Sequence, residues 1–318
     1  MTALVVRRLL TLGALLVGIS FISFLLMHLS PSDPALMMLS AQGIAPTPDL
    51  LEQTRHDMGL DQPFFTQYIN WLQGIFQGYW GYSYVYSAPV ADVLLQRLPV
   101  TLTLSFAALL LTLGVALPAG VTAALHPTKL SVLLIRLFEL TSLSMPTFWF
   151  GLLLIYLFAL TLGWFPAVSD ASSAVGYLLP VVALSFSYVG RLIGQIRADV
   201  TAEVAKPYVE GLISRGMDTR RIIWRHVLRN ALLPSLTVAG LALGAMLSGS
   251  ITTEMVFNLP GLGFASIEAI TARDYALVQG YVLVSALFFV MVNLFVDIIY
   301  RIADPRIRLE PSERRAFR

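Results

Sequence analysis

Six apolar stretches, each long enough to cross a lipid bilayer, constrain this chain more than any other feature of its sequence. A transmembrane helix needs about 20 mostly apolar residues. The composition agrees, because 57% of the 318 residues are hydrophobic and 13% are charged, whereas soluble proteins carry about 25% charged residues. The sequence therefore predicts an all-α integral membrane protein with six transmembrane helices. The predicted spans are Leu9–Leu29, Val100–Leu125, Leu133–Leu162, Tyr177–Ile196, Ala231–Phe257 and Val278–Ile302.

The first span follows Arg7 and Arg8, as the apolar core of a secretory signal peptide follows its basic region. The run from Leu9 to Leu29 is longer than the core of a signal peptide, which has about 7–15 residues. The next residues, SPSDPALMM, contain no convincing cleavage site. We therefore expect a retained first helix, with cleavage as the alternative.

Basic residues are distributed unequally between the two sides of the predicted membrane. If the N-terminus is cytoplasmic, the cytoplasmic segments hold 18 of the 21 Lys and Arg residues and the outer segments hold three. Lys and Arg concentrate in cytoplasmic loops of membrane proteins, so both termini are predicted to be cytoplasmic. The chain then divides into a first helix at 1–29, an extracytoplasmic insert at 30–99, a core of five spans at 100–303 and a cytoplasmic tail at 304–318.

The extracytoplasmic insert carries signals for two short helices. Thr47 and Pro48 form a helix start, and Gly59 can end that helix. A second helix is predicted from Phe64 to Phe76, with aromatic side chains on one face. An aromatic stripe at this spacing is more often a packing surface than a ligand cage, so we expect it to pack at the membrane surface.

The central loop, which we define as residues 199–230, is the longest polar stretch after residue 100. It reads DVTAEVAKPYVEGLISRGMDTRRIIWRHVLRN. Apolar residues recur at helical spacing on both sides of Gly216, which predicts two short amphipathic helices hinged at that glycine. From the residues alone two interpretations stay open. The loop transmits energy from a soluble partner, or its basic residues hold it on anionic lipid.

Residues within the predicted spans indicate how the helices pack. Pro146 predicts a kink or a break in the third span. Gly240, Gly244 and Gly249 recur along the fifth span, where small residues allow helices to approach closely. Ordinary helix packing is favoured over pore lining for each of these glycines.

Two acidic residues lie within the predicted spans, where an ionisable group suggests a function. Glu139 follows Arg136 by three residues, and Asp297 precedes Arg301 by four. Because residues at these spacings meet on one helix face, we expect two locally paired anchors and not a proton relay.

The sequence contains no recognisable catalytic motif. It has no phosphate-binding loop, no HExxH and no GxSxG motif, and no cysteine. Its four histidines are scattered through different segments. We therefore predict a chain that is not an enzyme and that binds no metal or cofactor. A secondary transporter is disfavoured because the two halves differ and no unpaired charge lies at mid-membrane depth, which suggests half of a pathway that a partner completes.

The order of residues in the central loop is similar to that of a known family. Tyr208-Val209 is followed by a short helical stretch, a glycine and a basic segment that ends His-x-Leu-Arg-Asn-Ala. This resembles the coupling loop of permease subunits of ATP-binding-cassette importers, in the dipeptide, oligopeptide and nickel branch. The resemblance implies that an ATPase subunit contacts the first loop helix at Tyr208, Val209, Glu210, Gly211, Leu212, Arg215 and Gly216. It places the end of the loop at Asn230 and the start of the fifth span at Pro234.

Motifs of this family occur in order along nearly the whole chain. They identify it as a member and imply the type I ABC importer permease fold, with a helical insert after the first span and the coupling loop between the fourth and fifth. The matching motifs include Ser32-Asp33-Pro34-Ala35, Gly59-Leu60-Asp61-Gln62-Pro63, Arg97-Leu98-Pro99, Ser144-Met145-Pro146, Pro260-Gly261 and Arg273-Asp274-Tyr275.

The resemblance also implies partners and a location. The partners are a second homologous permease subunit, two ATP-binding-cassette ATPase subunits and an extracytoplasmic substrate-binding protein. All act at the bacterial cytoplasmic (inner) membrane among its lipids, with no nucleic acid involved. ATP and Mg bind to the ATPase subunits and not to this chain. The outer segments Ser30–Pro99 and Phe257–Val278 are expected to form the docking surface and outer gate.

Two details distinguish this chain within the branch. Leu212 and Ile213 replace small alanines of the usual motif, so we expect the helix to seat differently in a specialised ATPase. Residues 45–51 resemble nickel-import permeases, so the expected cargo is nickel or a metal–metallophore chelate. Import of di- or oligopeptides is the alternative.

Overall fold

The computed structural model describes residues 2–29 and 33–303, and most of these residues are helical. Two short strands, β1 (Tyr82–Ser83) and β2 (Ala88–Pro89), pair in an antiparallel hairpin. Two π-helical segments also occur, Ile155–Thr161 directly after Leu154 and Ile223–Val227 directly after Ile222. The helices are α1 (Thr2–His28), α2 (Pro34–Ala41), α3 (Pro48–Asp57), α4 (Phe64–Phe76), α5 (Val90–Leu125), α6 (Leu130–Ser144), α7 (Thr147–Leu154), α8 (Ala174–Val204), α9 (Pro207–Ser214), α10 (Thr219–Ile222), α11 (Leu228–Gly249), α12 (Ile251–Phe257), α13 (Leu262–Ala272) and α14 (Tyr275–Ala303).

The described residues form two compact units. The first unit contains those of Met1–Leu102 and Asn258–Val290, and the second contains those of Thr103–Phe257 and Met291–Arg318.

Long apolar helices confirm the prediction of an all-α membrane protein. Within residues 2–29 and 33–303, four single helices are long and apolar enough to span a membrane, and two bent pairs raise the number to six. A shorter apolar helix covers Leu12–His28. The single helices are Val90–Leu125, Ala174–Val204, Thr219–Ser248 and Tyr275–Val296, and the bent pairs are Leu130–Ser144 with Thr147–Thr161 and Ile251–Phe257 with Leu262–Ala272.

Several helices extend beyond the predicted spans, because a helix can continue from apolar residues into the polar residues beside them. α5 begins at Val90 and not at Val100. α8 continues past Ile196 to Val204, so the first residues of the central loop belong to this helix. The fifth predicted span is divided at Ser250, between α11 and α12.

The third predicted span is broken at Pro146. Between α6 and the helix that starts at Thr147, the chain bends by 110°. Met145 and Pro146 both adopt extended conformations, with ψ of 127° and 137°. Proline lacks a backbone N–H and disfavours a helical conformation in the residue before it, so the break falls where the sequence predicted it.

In the first unit, the aromatic face of α4 packs against α1. The rings of Phe24 and Tyr68 lie 5.5 Å apart between centroids, as do those of Phe24 and Trp71. The hydroxyls of Ser20 and Tyr68 are joined by a hydrogen bond of 2.8 Å. The predicted helix Phe64–Phe76 is confirmed, and its aromatic stripe is a packing surface.

The second unit is organised around α8, which packs against α6, α7, α11 and α12. α6 and α8 approach closely at Gly190, where a Cβ would lie 1.7 Å from the Ser142 hydroxyl oxygen. A similar approach occurs between α11 and α14 at Gly240, where a Cβ would lie 2.0 Å from Cγ2 of Val296. Gly240 therefore serves helix packing within this chain, as its position in the fifth span predicted.

Replacing Gly240 with alanine should lower the thermal stability of the detergent-solubilised protein. The added methyl group collides with Val296, a β-branched side chain that cannot easily rotate away, and overpacking costs about 1–3 kcal/mol. Gly114→Ala is the matched control, because no heavy atom lies within 4 Å of the Cβ position at Gly114 in α5. Melting curves check this prediction, and equal midpoints for the two variants would contradict it.

Candidate functional site

The central loop folds as a short helix, a glycine in the left-handed conformation and a second helix. α9 begins at Pro207, whose ring suits the first helical turn. Gly216 follows α9 with φ of 75°, a value that favours glycine. Asp218 caps α10, where its carboxylate accepts a hydrogen bond of 3.1 Å from the backbone N–H of Arg221. The two helices hinged at Gly216 are therefore present as predicted.

The second loop helix differs from the prediction because it does not end before the fifth span. α10, the π-helical segment and α11 follow one another directly. No glycine or proline occurs between Asp218 and Pro234, and Pro234 is accommodated inside α11. The span helix Thr219–Ser248 has 30 residues and is therefore about 45 Å long. The hydrocarbon core of a bilayer is about 30 Å thick, so part of this helix extends beyond it.

α9 has one face against the chain and one face open to solvent. Val209 is 5% exposed and belongs to an apolar cluster with Ile222, Val227 and residues of α8. Leu212 is partly buried and packs against the same cluster. The opposite face is exposed and carries Glu210, Gly211, Ile213, Ser214 and Arg215.

The two bulky residues expected to replace alanines in the loop, Leu212 and Ile213, lie on different faces of α9. Leu212 faces the core of its own chain, so its size is accommodated by internal packing. Ile213 is 55% exposed and is available to a partner. The expectation that both residues change the seating on an ATPase therefore rests on Ile213.

A carboxylate at the end of α8 joins the parts of the central loop. Glu203 is 6% exposed, and its oxygens accept hydrogen bonds from the Tyr208 hydroxyl at 2.8 Å and from the Lys206 ammonium group. The side chain of Asn230 lies beside this carboxylate. Sequence analysis selected Tyr208 and Asn230 but missed Glu203. The only local signal for it is Lys206 three residues later, a spacing that brings opposite charges together on a helix.

A second polar contact joins the same two span helices one turn away. Asp199 accepts a hydrogen bond of 2.7 Å from the Ser235 hydroxyl of α11 and one of 2.9 Å from Gln195. Asp199 and Glu203 are four residues apart and share a face of α8. Their partners on α11, Ser235 and Asn230, follow in the reverse order, as expected where two helices run antiparallel.

The prediction that Glu139 pairs with Arg136 is wrong. Glu139 lies against α8, and its carboxylate is 3.3 Å from the guanidinium group of Arg197, whereas Arg136 is exposed. The glycine surface of α8 makes this possible, because a Cβ at Gly194 would lie 2.5 Å from Oε1 of Glu139. The expected pairing of Asp297 with Arg301 lies outside the side chains that the structure describes.

The remaining predicted loop residues do not join the Glu203 contacts. Glu210, Gly211 and Arg215 are on the exposed face of α9, and Pro234 is exposed on α11. Within residues 2–29 and 33–303, no group of three or more His, Asp and Glu side chains lies close enough together to hold a metal ion.

The first unit contains a polar cluster that joins the β1–β2 hairpin to residues 268–277. Asp274 is 1% exposed and accepts hydrogen bonds from the Ser83 hydroxyl at 2.6 Å and from the backbone N–H of Val85 at 3.2 Å. The Tyr86 hydroxyl donates to Glu268. Burial, together with this hydrogen bond, raises the pKa of Tyr86 to about 12, so the phenol stays protonated near neutral pH. Two segments predicted to form the outer surface are thus joined by hydrogen bonds.

Comparison with known families and proteins gives consistent matches over the chain. Residues 116–309 match the family described as binding-protein-dependent transport system inner membrane component, and residues 1–105 match the N-terminal model of the same system. A Brucella abortus (strain 2308) protein named putative peptide transport system permease is 35% identical over 98% of this chain and 100% of its own length. The glutathione transport system permease protein GsiC of Escherichia coli (strain K12) is 33% identical over 96% of this chain and 98% of its own length.

Solved structures show a similar fold at low sequence identity. An inward-facing MetNI methionine ABC transporter matches with a TM-score of 0.51 and 16% identity, covering 67% of this chain and 96% of the other. An amino acid ABC transporter, crystallised with histidines, matches with a TM-score of 0.50 and 21% identity, covering 68% and 94% of the two chains.

The two faces of α9 predict different results for neighbouring alanine substitutions. Leu212→Ala should lower the midpoint of thermal unfolding, because removing a fully buried leucine side chain costs about 2–5 kcal/mol and Leu212 is partly buried. Ile213→Ala should leave the midpoint nearly unchanged, because exposed positions change stability by less than about 0.5 kcal/mol. Melting curves of both variants in the same detergent check this. A larger loss for Ile213→Ala than for Leu212→Ala would contradict the assignment of the faces.

Proposed function

Because the chain belongs to the family of inner-membrane components of binding-protein-dependent transport systems, we propose that it is the permease subunit of an ATP-driven importer. In this proposal it forms half of the translocation pathway and carries no catalytic group. A second homologous permease completes the pathway, two ATPase subunits hydrolyse ATP with Mg, and an extracytoplasmic binding protein delivers the cargo. The 18-to-3 distribution of basic residues supports cytoplasmic termini and a cytoplasmic central loop.

The observation that carries the proposal is the two-faced helix α9. Val209 and Leu212 anchor its inner face in the core of the second unit, and the outer face is exposed. A helix held in this way can bind a cytoplasmic ATPase while it stays attached to the span helices. We assign the ATPase contact to Glu210, Gly211, Ile213 and Arg215 on the outer face, with Gly216 as the hinge.

The cargo that we propose is a small peptide, of the di- or oligopeptide class that includes glutathione. Full-length relatives at 33–35% identity are named as peptide and glutathione permeases. They support the alternative given by the sequence better than nickel or a metal chelate. Both peptide and metal-chelate cargoes would be delivered by a binding protein, so the loop itself does not distinguish them.

Uptake assays with labelled substrates, in a strain that lacks its own peptide importers, would test the cargo. The complete importer should accumulate labelled dipeptide, tripeptide or glutathione, and an ATPase-inactive partner subunit should abolish this uptake. Accumulation of nickel or a nickel chelate without peptide uptake would overturn the proposed cargo. Gradient-driven uptake by this chain alone in liposomes would instead overturn the importer role and favour a secondary transporter.

Gly216→Pro should abolish transport-coupled ATP hydrolysis while the protein still inserts into the membrane. Proline requires φ near about −65°, and Gly216 has φ of 75°, so the connection between α9 and α10 must change course. Gly114→Ala is the control, because the Cβ position at Gly114 in α5 is open, alanine favours a helix, and Gly114 belongs to no assigned ATPase contact.

The measurement is ATPase activity of the reconstituted importer with and without its loaded binding protein. Normal stimulation of the Gly216→Pro variant would remove the coupling role from this hinge.

A further inference from the structure

We propose that Glu203 is a positioning residue that fixes the orientation of α9 relative to α8 and α11. Movement imposed on α9 then reaches both span helices together. The proposal rests on the coupling role that we assign to α9, and it adds a residue that lies outside the motif of the loop.

The polar groups around Glu203, two hydrogen-bond donors and the neighbouring Asn230 side chain, come from three places in the chain. Lys206 lies in the turn after α8, Tyr208 is in the first turn of α9, and Asn230 lies near the start of α11. The acceptor itself is in the last turn of α8. One carboxylate therefore joins the loop helix to the helices that precede and follow the loop.

Burial makes these hydrogen bonds strong constraints. A carboxylate removed from water is costly unless it is paired and hydrogen-bonded, and Glu203 is 6% exposed. Hydrogen bonds to an ionised group are shorter and stronger than those between neutral groups. Any rotation of α9 that pulls Tyr208 or Lys206 away would leave the buried charge with too few donors.

The apolar contacts of α9 cannot fix its orientation in the same way. Its inner face is anchored through Val209 and Leu212, and hydrophobic contact is non-directional. The short turn Ala205–Lys206 connects α8 to α9, and its side chains make no described contact with α11. Directional hydrogen bonds to Glu203 supply the missing constraint, because each donor must stay near a particular oxygen.

Distance measurements between spin labels would test the proposal in the assembled importer. The chain contains no cysteine, so Thr201→Cys on α8 and Ser214→Cys on α9 can be labelled without removing any native thiol. Both positions are exposed. The parent pair should give a narrow distance distribution, and Glu203→Ala should broaden it and lower uptake per ATP hydrolysed about tenfold, as expected for losing hydrogen bonds to a charge.

Asp199→Asn is the matched control on the same helix face. Asp199 bonds to Ser235 of α11 and has no described hydrogen bond to α9, so this variant should keep the narrow distribution. Glu203→Gln retains an acceptor oxygen and should give an intermediate width. Tyr208→Phe removes a single donor and keeps the ring, so it tests the contact even if Glu203→Ala fails to fold.

The results separate the two proposals. An unchanged distance distribution and unchanged uptake per ATP in both Glu203→Ala and Tyr208→Phe would overturn the positioning role. If Gly216→Pro still uncouples transport in that case, the coupling role of α9 stands without Glu203. If Glu203→Ala broadens the distribution but every loop variant stays fully coupled, the carboxylate orients α9 and the proposed coupling function is wrong.

Discussion

Charged side chains at the C-terminal end of α8 must find partners on neighbouring helices, and the structure of the second unit depends on this constraint. An unpaired charge away from water costs far more than a weak apolar contact. Glycines on α8 allow α6 to come close enough for Glu139 to reach Arg197. On α11, the side chain of Asn230 lies beside Glu203. The result is a helix attached to its neighbours by directional contacts at the end where it joins the central loop.

Features that act over a few residues could be predicted from the sequence. Pro146 breaks a span because a proline changes its own turn and the residue before it. Gly216 marks the hinge because its left-handed conformation favours glycine. The helix Phe64–Phe76 follows from its own pattern of aromatic residues and flanking glycines. In each case the residues that determine the structure are neighbours in the chain.

Features that depend on contacts between distant residues could not be predicted. Glu139 has a basic neighbour on its own helix, yet its partner lies 58 residues away on α8. Glu203 and Asn230 meet only because α8 and α11 run side by side. The orientation of Leu212 and Ile213 likewise follows from which side of α9 meets the core. Periodicity shows that a helix has two faces, but it does not show what each face contacts.

The π-helical segment Ile223–Val227 holds one residue more than an α-helical turn without changing which side chains face the core. Ile222 and Val227 are both buried although they are five positions apart, and the buried positions then continue at Ala231 and Ser235 with helical spacing. Deleting one residue here would give an α-helical turn, in which Ile222 and Val227 would be four positions apart and would still share a face. Surface loops usually tolerate insertions and deletions. This segment, although it belongs to a helix, could therefore also lose one residue without turning α9 away from the core, because its wider turn already contains the extra residue.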